Sequence, residues 1–165
     1  MKIYKSFLKD KEFNEVKSTL LSTRFPWYKA EILSNQLSNN ISNNFQLIHF
    51  FYLEDKINSP FYNLIEFFKE KINWLSLIKV KANLLTKTDK CIEHGMHRDL
   101  DYKDQNITTG IFYVNKNNGY TKFEDGKIIK SEENKYVEFD TKLKHTGATC
   151  TDEDTRIVIN FNYIK

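Results

Sequence analysis

At 165 residues, with 40% hydrophobic and 28% charged side chains, the chain is one domain's length and can build a core without a disulfide or structural metal. Its 25 basic and 22 acidic residues leave a net charge of only +3, which gives no reason to expect nucleic acid as a partner. No apolar run is long enough to span a membrane, the first ten residues lack the apolar core of a secretion signal, and Cys91 and Cys150 are expected as thiols in a cytoplasmic protein.

In chain order, the first half reads as helical and the second as strands, with the change near Leu77. Phe13, Val16 and Leu20 fall at helical spacing after Asp10, a candidate N-cap. Residues 30–37 are expected as a second short helix, and 46–52 as a strand. Ser59-Pro60 offers a capping hydroxyl and a first-turn proline. The spacing of Leu64, Ile65, Phe68 and Ile72 then predicts a helix running to about Asn73 and packing on a sheet. Strands are expected over 78–85, 107–114, 120–124, 127–130, 136–140 and 156–163. NKNNG at 115–119 is turn chemistry, and Asp125-Gly126 between two short strands predicts a tight hairpin. Helices followed by many short strands define an α+β domain around a β-sandwich or barrel, with 1–77 mainly helical support and 78–165 the β core.

Chemistry concentrates in His97-Arg98-Asp99, His145 and Arg156. A histidine and an aspartate two apart on extended backbone point the same way, so both can reach one metal. A third ligand must come from elsewhere, and His145 lies 48 residues on. Two histidines and a carboxylate on one face of an ion leave three positions open. A 2-oxo acid can fill two of these and dioxygen the last. Arg156 opens a strand-like run, where a buried guanidinium needs a bidentate carboxylate partner. The competing partners for it are Asp152, Glu153 and Asp154. His94 is read as a loop or pocket-rim residue, since Gly95 argues against a helix. His49, in an apolar run, is read as a satisfied core histidine.

The segments KVKANLL, HRD, TTGIFYVNKNNGYTKFEDG, KHTG and RIVINFNY, taken in this order and spacing, resemble the 2-oxoglutarate/Fe(II)-dependent oxygenase superfamily, and most closely its prolyl-hydroxylase-like branch. The resemblance covers roughly 78–163. FPWY at 25–28 is similar to the lead-in of small viral and microbial members. It implies a double-stranded β-helix of jelly-roll or cupin type with N-terminal supporting helices. By position it makes His97, Asp99 and His145 the metal and catalytic residues. Arg156, eleven residues after His145, would bind the 5-carboxylate of 2-oxoglutarate, with the Tyr113 hydroxyl touching the same group. Asn83 stands where relatives often carry a cosubstrate-contacting tyrosine. Thr121 and Phe123 are read as core packing rather than pocket wall. The implied cofactors are Fe(II), 2-oxoglutarate and O2, with ascorbate as an assisting reductant.

The function implied is hydroxylation of a C–H bond with release of succinate and CO2, on a prolyl or other side chain of a polypeptide. The alternatives are a non-catalytic metal- and 2-oxoglutarate-binding barrel, and an oxygenase acting on a small molecule or nucleic acid. The chain has no concentrated basic, aromatic-rich lid, which weighs against nucleic acid. Loops over 86–96 and 100–106 are expected to flank an open mouth.

Overall fold

The computed structural model describes residues 1–32, 45–100 and 106–165. Its elements are β1 (Lys2–Tyr4), α1 (Asp10–Leu20), β2 (Tyr28–Ala30), β3 (Gln46–Leu53), β4 (Lys56–Ile57), α2 (Asn63–Ile72), β5 (Ser76–Thr86), β6 (Ile107–Tyr113), β7 (Tyr120–Phe123), β8 (Ile128–Lys130), β9 (Lys135–Asp140), β10 (His145–Gly147) and β11 (Thr155–Ile164). A larger sheet runs β1-β9-β6-β11-β5-β3-β2, with β4 added to β3; a smaller one runs β10-β7-β8. The strand pairs are antiparallel.

Strand β11 is central, paired along its length with β5 and β6. Alternation sends Ile157, Ile159, Phe161 and Tyr163 to one face. There they join Phe13, Val16 and Leu20 of α1 and Leu64, Ile65, Phe68 and Ile72 of α2 in one apolar core. Phe68 keys this layer, edge-on to Phe112 at 4.9 Å and tilted on Phe161 at 4.8 Å. The opposite face carries a smaller core in which Ile111, Tyr113, Val137, Phe139 and Val158 meet Phe123 and Ile129 of the smaller sheet. Beyond that contact the same face turns polar, with Lys79, Lys81 and Asn83 on β5 beside Arg156 and Asn160 on β11. A cavity opens there.

The strands expected in the second half are present with ends shifted by a residue or two. The hairpin at Asp125-Gly126 is present too, with Gly126 at φ +85. Residues 1–77 are not mainly helical: besides α1 and α2 they hold β1, β2, β3, β4 and the start of β5. Strands of two or three residues are too short to display alternation. The helix expected over 30–37 begins on the last residue of β2, and 33–37 lie outside the described residues. Asp10 is the first helical residue rather than the cap; Lys9 caps α1, its N–H donating to Glu12 Oε2 at 3.2 Å. Helix α2 starts at Asn63, because Ser59 Oγ accepts from the Phe61 N–H and contacts His49 Nε2, building a turn first. It ends at Ile72 with Asn73 in the left-handed conformation, as the spacing predicts.

Candidate metal centre

His97 and His145 face each other across a two-way backbone bridge, each N–H donating to the other's carbonyl at 3.0 Å. Thr146 Oγ1 ties the same two segments by donating to His94 O at 2.6 Å. The imidazoles therefore lie side by side, centroids 4.9 Å apart. Each ring has its Nδ1 toward a carbonyl two residues back, Gly95 O at 3.1 Å for His97 and Leu143 O at 3.5 Å for His145. A proton on Nδ1 leaves Nε2 with a lone pair for a metal. Both Nε2 atoms stand 3.8 Å from Asp99 Oδ1, too far for a hydrogen bond and within reach of one ion bonded to all three groups. The candidate ligand atoms lie within 4.8 Å of one another, so the three residues could hold a metal ion.

The cluster is sunk into the protein on one side. Side-chain exposure is 4% for His145 and 7% for Asp99, against 37% for His97, which marks the side the opening lies on. Burial pushes the Asp99 carboxyl up, but His145, Lys79, His97 and Lys81 outweigh it and hold the group below its ordinary value. Burial likewise lowers His145, partly opposed by Asp99, which favours the neutral, ligating ring. Two residues that sequence reasoning passed over hold Asp99. Lys79 Nζ donates to its backbone carbonyl at 2.9 Å, and Asn160 Nδ2 reaches Oδ2 at 3.4 Å. The available signal was polar residues alternating along β5 and β11, strands that are otherwise apolar and central.

Four residues along β11 from Asn160, roughly 13 Å at strand rise, stands Arg156, 3% exposed. Its Nε donates to Ser131 Oγ at 2.9 Å and its Nη2 to Thr121 Oγ1 at 3.0 Å, while the guanidinium lies 5.8 Å from the Tyr113 ring centroid. Gly119 makes room for it, since a Cβ there would sit 2.6 Å from Arg156 Cδ. Among the described residues no carboxylate pairs with this guanidinium; Asp152, Glu153 and Asp154 stay exposed on the preceding turn. Burial depresses the Arg156 pKa, partly opposed by Tyr113 and Cys150.

Tyr113 is fully buried, and its hydroxyl donates to Thr121 Oγ1 at 2.8 Å rather than into the cavity. Thr121 therefore accepts from both Tyr113 and Arg156, which leaves its own proton to donate elsewhere. It lines the cavity, contrary to the expectation of plain packing, whereas Phe123 is core, edge-on to Phe139 at 4.9 Å. Asn83 also lines the cavity, a space of about 110 Å³ that runs from the histidine–aspartate cluster to Arg156. His94 stands in its wall, its pKa lowered to about 4 by burial, then by Arg156 and His97. His49 is a core histidine with both ring nitrogens engaged, by Pro26 O at 2.8 Å and Ser59 Oγ at 2.7 Å. Cys91 and Cys150 are free thiols. Of the expected mouth-flanking segments, 86–96 borders the cavity through His94, while 101–105 lie outside the described residues.

No protein-family model matches the sequence, and no curated protein matches it. Solved structures do share its fold. A prolyl-4-hydroxylase from Pseudomonas putida superposes with a TM-score of 0.59 at 10% identity, covering 99% of this chain and 92% of that one. An oxidoreductase of the 2OG-Fe(II) oxygenase family from Burkholderia pseudomallei gives 0.65 at 12% identity, over 91% and 78%. A prolyl hydroxylase from Trichoplax adhaerens, solved with a hypoxia inducible factor oxygen degradation domain peptide, gives 0.60 at 15% identity, over 99% and 82%. The fold is thus one that 2OG-Fe(II) oxygenases adopt, and within that class the chain resembles prolyl hydroxylases in fold. Among the described residues no helix is long and apolar enough to cross a membrane.

Proposed function

We propose that this chain is an Fe(II)- and 2-oxoglutarate-dependent oxygenase with a double-stranded β-helix core. It would hydroxylate a C–H bond in a polypeptide side chain, with proline the first candidate. The observation that carries this reading is Arg156: a buried guanidinium without a carboxylate partner among the described residues, in the same cavity as a histidine–aspartate–histidine cluster. A dianion with one carboxylate at each end answers both features at once.

The residues present fit the absent groups. His97 Nε2, His145 Nε2 and an Asp99 oxygen would hold the iron; Arg156 and Thr121 would hold the far carboxylate of 2-oxoglutarate, with Tyr113 supporting Thr121 from behind. When bound, iron would activate dioxygen, the four-electron oxidant, with two electrons coming from 2-oxoglutarate as it becomes succinate and CO2 and two from the substrate as C–H becomes C–OH. The chain's own contribution is placement. The backbone bridge at His97 and His145 fixes the ring separation, and Lys79 and Asn160 fix Asp99. Leu85, Ile111 and Val158 give the cavity apolar wall between its two ends, beside Asn83. The peptide substrate is supported by the fold shared with a peptide-bound prolyl hydroxylase and by His97 facing outward.

The test is incubation of iron-loaded protein with 2-oxoglutarate, oxygen, ascorbate and either proline-containing peptides or free amino acids. The expected result is succinate with a one-oxygen mass gain on a peptide. Coupled oxidation confined to free amino acids or nucleobases overturns the peptide assignment. Absence of 2-oxoglutarate binding overturns the oxygenase assignment itself.

A further inference from the structure

The cavity wall carries more positive charge than iron and 2-oxoglutarate need. Among the described residues, Lys79, Lys81, Arg98 and Arg156 line it, and Asp99 is the one acid. Arg98 is exposed and turned outward, its Nε donating to Lys142 O at 2.7 Å. On the reading proposed above, a divalent ion and a dianionic cosubstrate cancel, and Asp99 offsets one of the three cations Lys79, Lys81 and Arg156. Among the described residues, the cavity wall then keeps a surplus of two positive charges.

Their place in the sheet says which end of the cavity they serve. Lys79 and Lys81 alternate onto the cavity face of β5 between the core residues Leu77, Val80 and Ala82. Lys81 sits opposite Asn160 of β11, the residue that contacts Asp99, whereas Arg156 sits opposite Leu85 at the far end. The lysines therefore flank the metal cluster and not the Arg156 end. Lys79 already donates to Asp99 O. Lys81 makes no hydrogen bond or ion pair to any described residue; its Nζ lies 6.0 Å from the Phe50 ring and feels Asp99 only through space, a carboxylate it shares with Lys79. A half-buried ammonium so placed is costly to leave without a counter-charge. A cosubstrate anchored on Arg156 spends its far carboxylate there and its near one on the metal, so the anion that answers Lys81 belongs to the other molecule that must approach the metal.

We propose that the substrate is an acid: it carries a carboxylate close to the oxidised carbon, which pairs with Lys81 while Lys79 adds to the attracting field. In the polypeptide form favoured above, this is an aspartate or glutamate beside the oxidised residue. The inference rests on the oxygenase reading for the charge count, for the end of the cavity the cosubstrate takes and for the oxidised carbon.

The experiment uses iron-loaded protein saturated with 2-oxoglutarate in the absence of oxygen, so that binding is read without turnover. Three peptides that differ only in Glu, Gln or Lys next to a central proline are titrated calorimetrically, alongside free glutamate and glutamine as the small-molecule source of the same carboxylate. The acidic member of one pair should bind about tenfold or more tightly than its amide, as expected for a hydrogen bond to a charged group, and the Lys peptide should bind weakest. Lys81→Met should bring the acid-to-amide ratio near one at saturating 2-oxoglutarate, and Lys81→Arg should retain it. Equal binding of acid and amide in both pairs, or a preference that survives Lys81→Met, overturns the proposal. Repeating the titrations on metal-loaded protein without 2-oxoglutarate separates the two ideas. Failure to take up 2-oxoglutarate sinks the oxygenase reading, while the Lys81-dependence of acid binding still decides the charge proposal.

Discussion

On one face of β11, Ile157, Ile159, Phe161 and Tyr163 meet the helices; on the other, Arg156, Val158 and Asn160 meet the smaller sheet and the cavity, and Asn162 donates to Thr109 Oγ1 of β6. Burial is similar on both faces, 0–1% exposure on the first and 0–8% on the second. What differs is how each face is satisfied. The first is filled by packing: Phe161 touches Phe68 and Tyr136, and Tyr163 shares its hydroxyl with Tyr136 and Glu138. The second leaves demands open among the described residues, since Asn160 Oδ1 and Asn162 Oδ1 have no hydrogen-bond partner and Arg156 has no carboxylate. A strand that completes one face with its own side chains and leaves the other incomplete separates stability from binding.

Substitutions on the two faces of β11 should therefore act on different properties. The largest effect is expected at the cluster the second face supports. Asp99→Ala should lose stoichiometric iron after anaerobic loading and desalting, measured by metal analysis, while wild-type protein retains it. Next is the helix face: Phe161→Ala should lower the unfolding free energy by about 3–5 kcal/mol in urea titration and leave 2-oxoglutarate affinity near wild type under folding conditions. On the cavity face the order reverses. Arg156→Met should change the unfolding free energy of metal-free protein by less than about 1 kcal/mol, because the two hydrogen bonds lost are offset by removing a buried cation. A loss as large as that of Phe161→Ala would make Arg156 a packing residue and erase the contrast.

The smallest effect concerns pH. His94 is held neutral, its pKa lowered to about 4 by burial, then by Arg156 and His97. Between its folded value and the unfolded value near 6.5 the unfolded chain binds more protons, so stability rises with pH across that window and is lost as pH falls through it. His94→Gln should flatten the slope of metal-free stability between pH 4 and about 6.5, and an unchanged slope would assign it to other groups.

Much of this was legible in the sequence because period-two alternation is strongest where a strand is long and central. Strands β5, β6 and β11 announced themselves, and so did the helix faces of α1 and α2. The candidate ligands His97, Asp99 and His145 were readable from spacing, and the fold brings their side-chain donor atoms within 4.8 Å of one another. Less was readable where structure is short or partners are remote. Strand β10 is three residues long, and its bridge to His97 depends on a pairing of residues 48 apart. Tyr113 was read as reaching a ligand directly, but its hydroxyl is spent on Thr121, a relation set by β6 and β7 lying in different sheets. Lys79 and Lys81 look like surface lysines by composition. They become cavity residues because β5 is covered on one face by helices and lies inside the sheet, third from the β2 edge, between β11 and β3.

The central claim is that the open side of β11 is completed by a dianion anchored on Arg156. Titration of 2-oxoglutarate into iron-loaded wild-type and Arg156→Met proteins, without oxygen, tests it most directly. The account predicts saturable, metal-dependent binding to wild type and at least about tenfold weaker binding to the variant, with iron content equal in both. Equal affinities in the two proteins, or no binding to either, would contradict it.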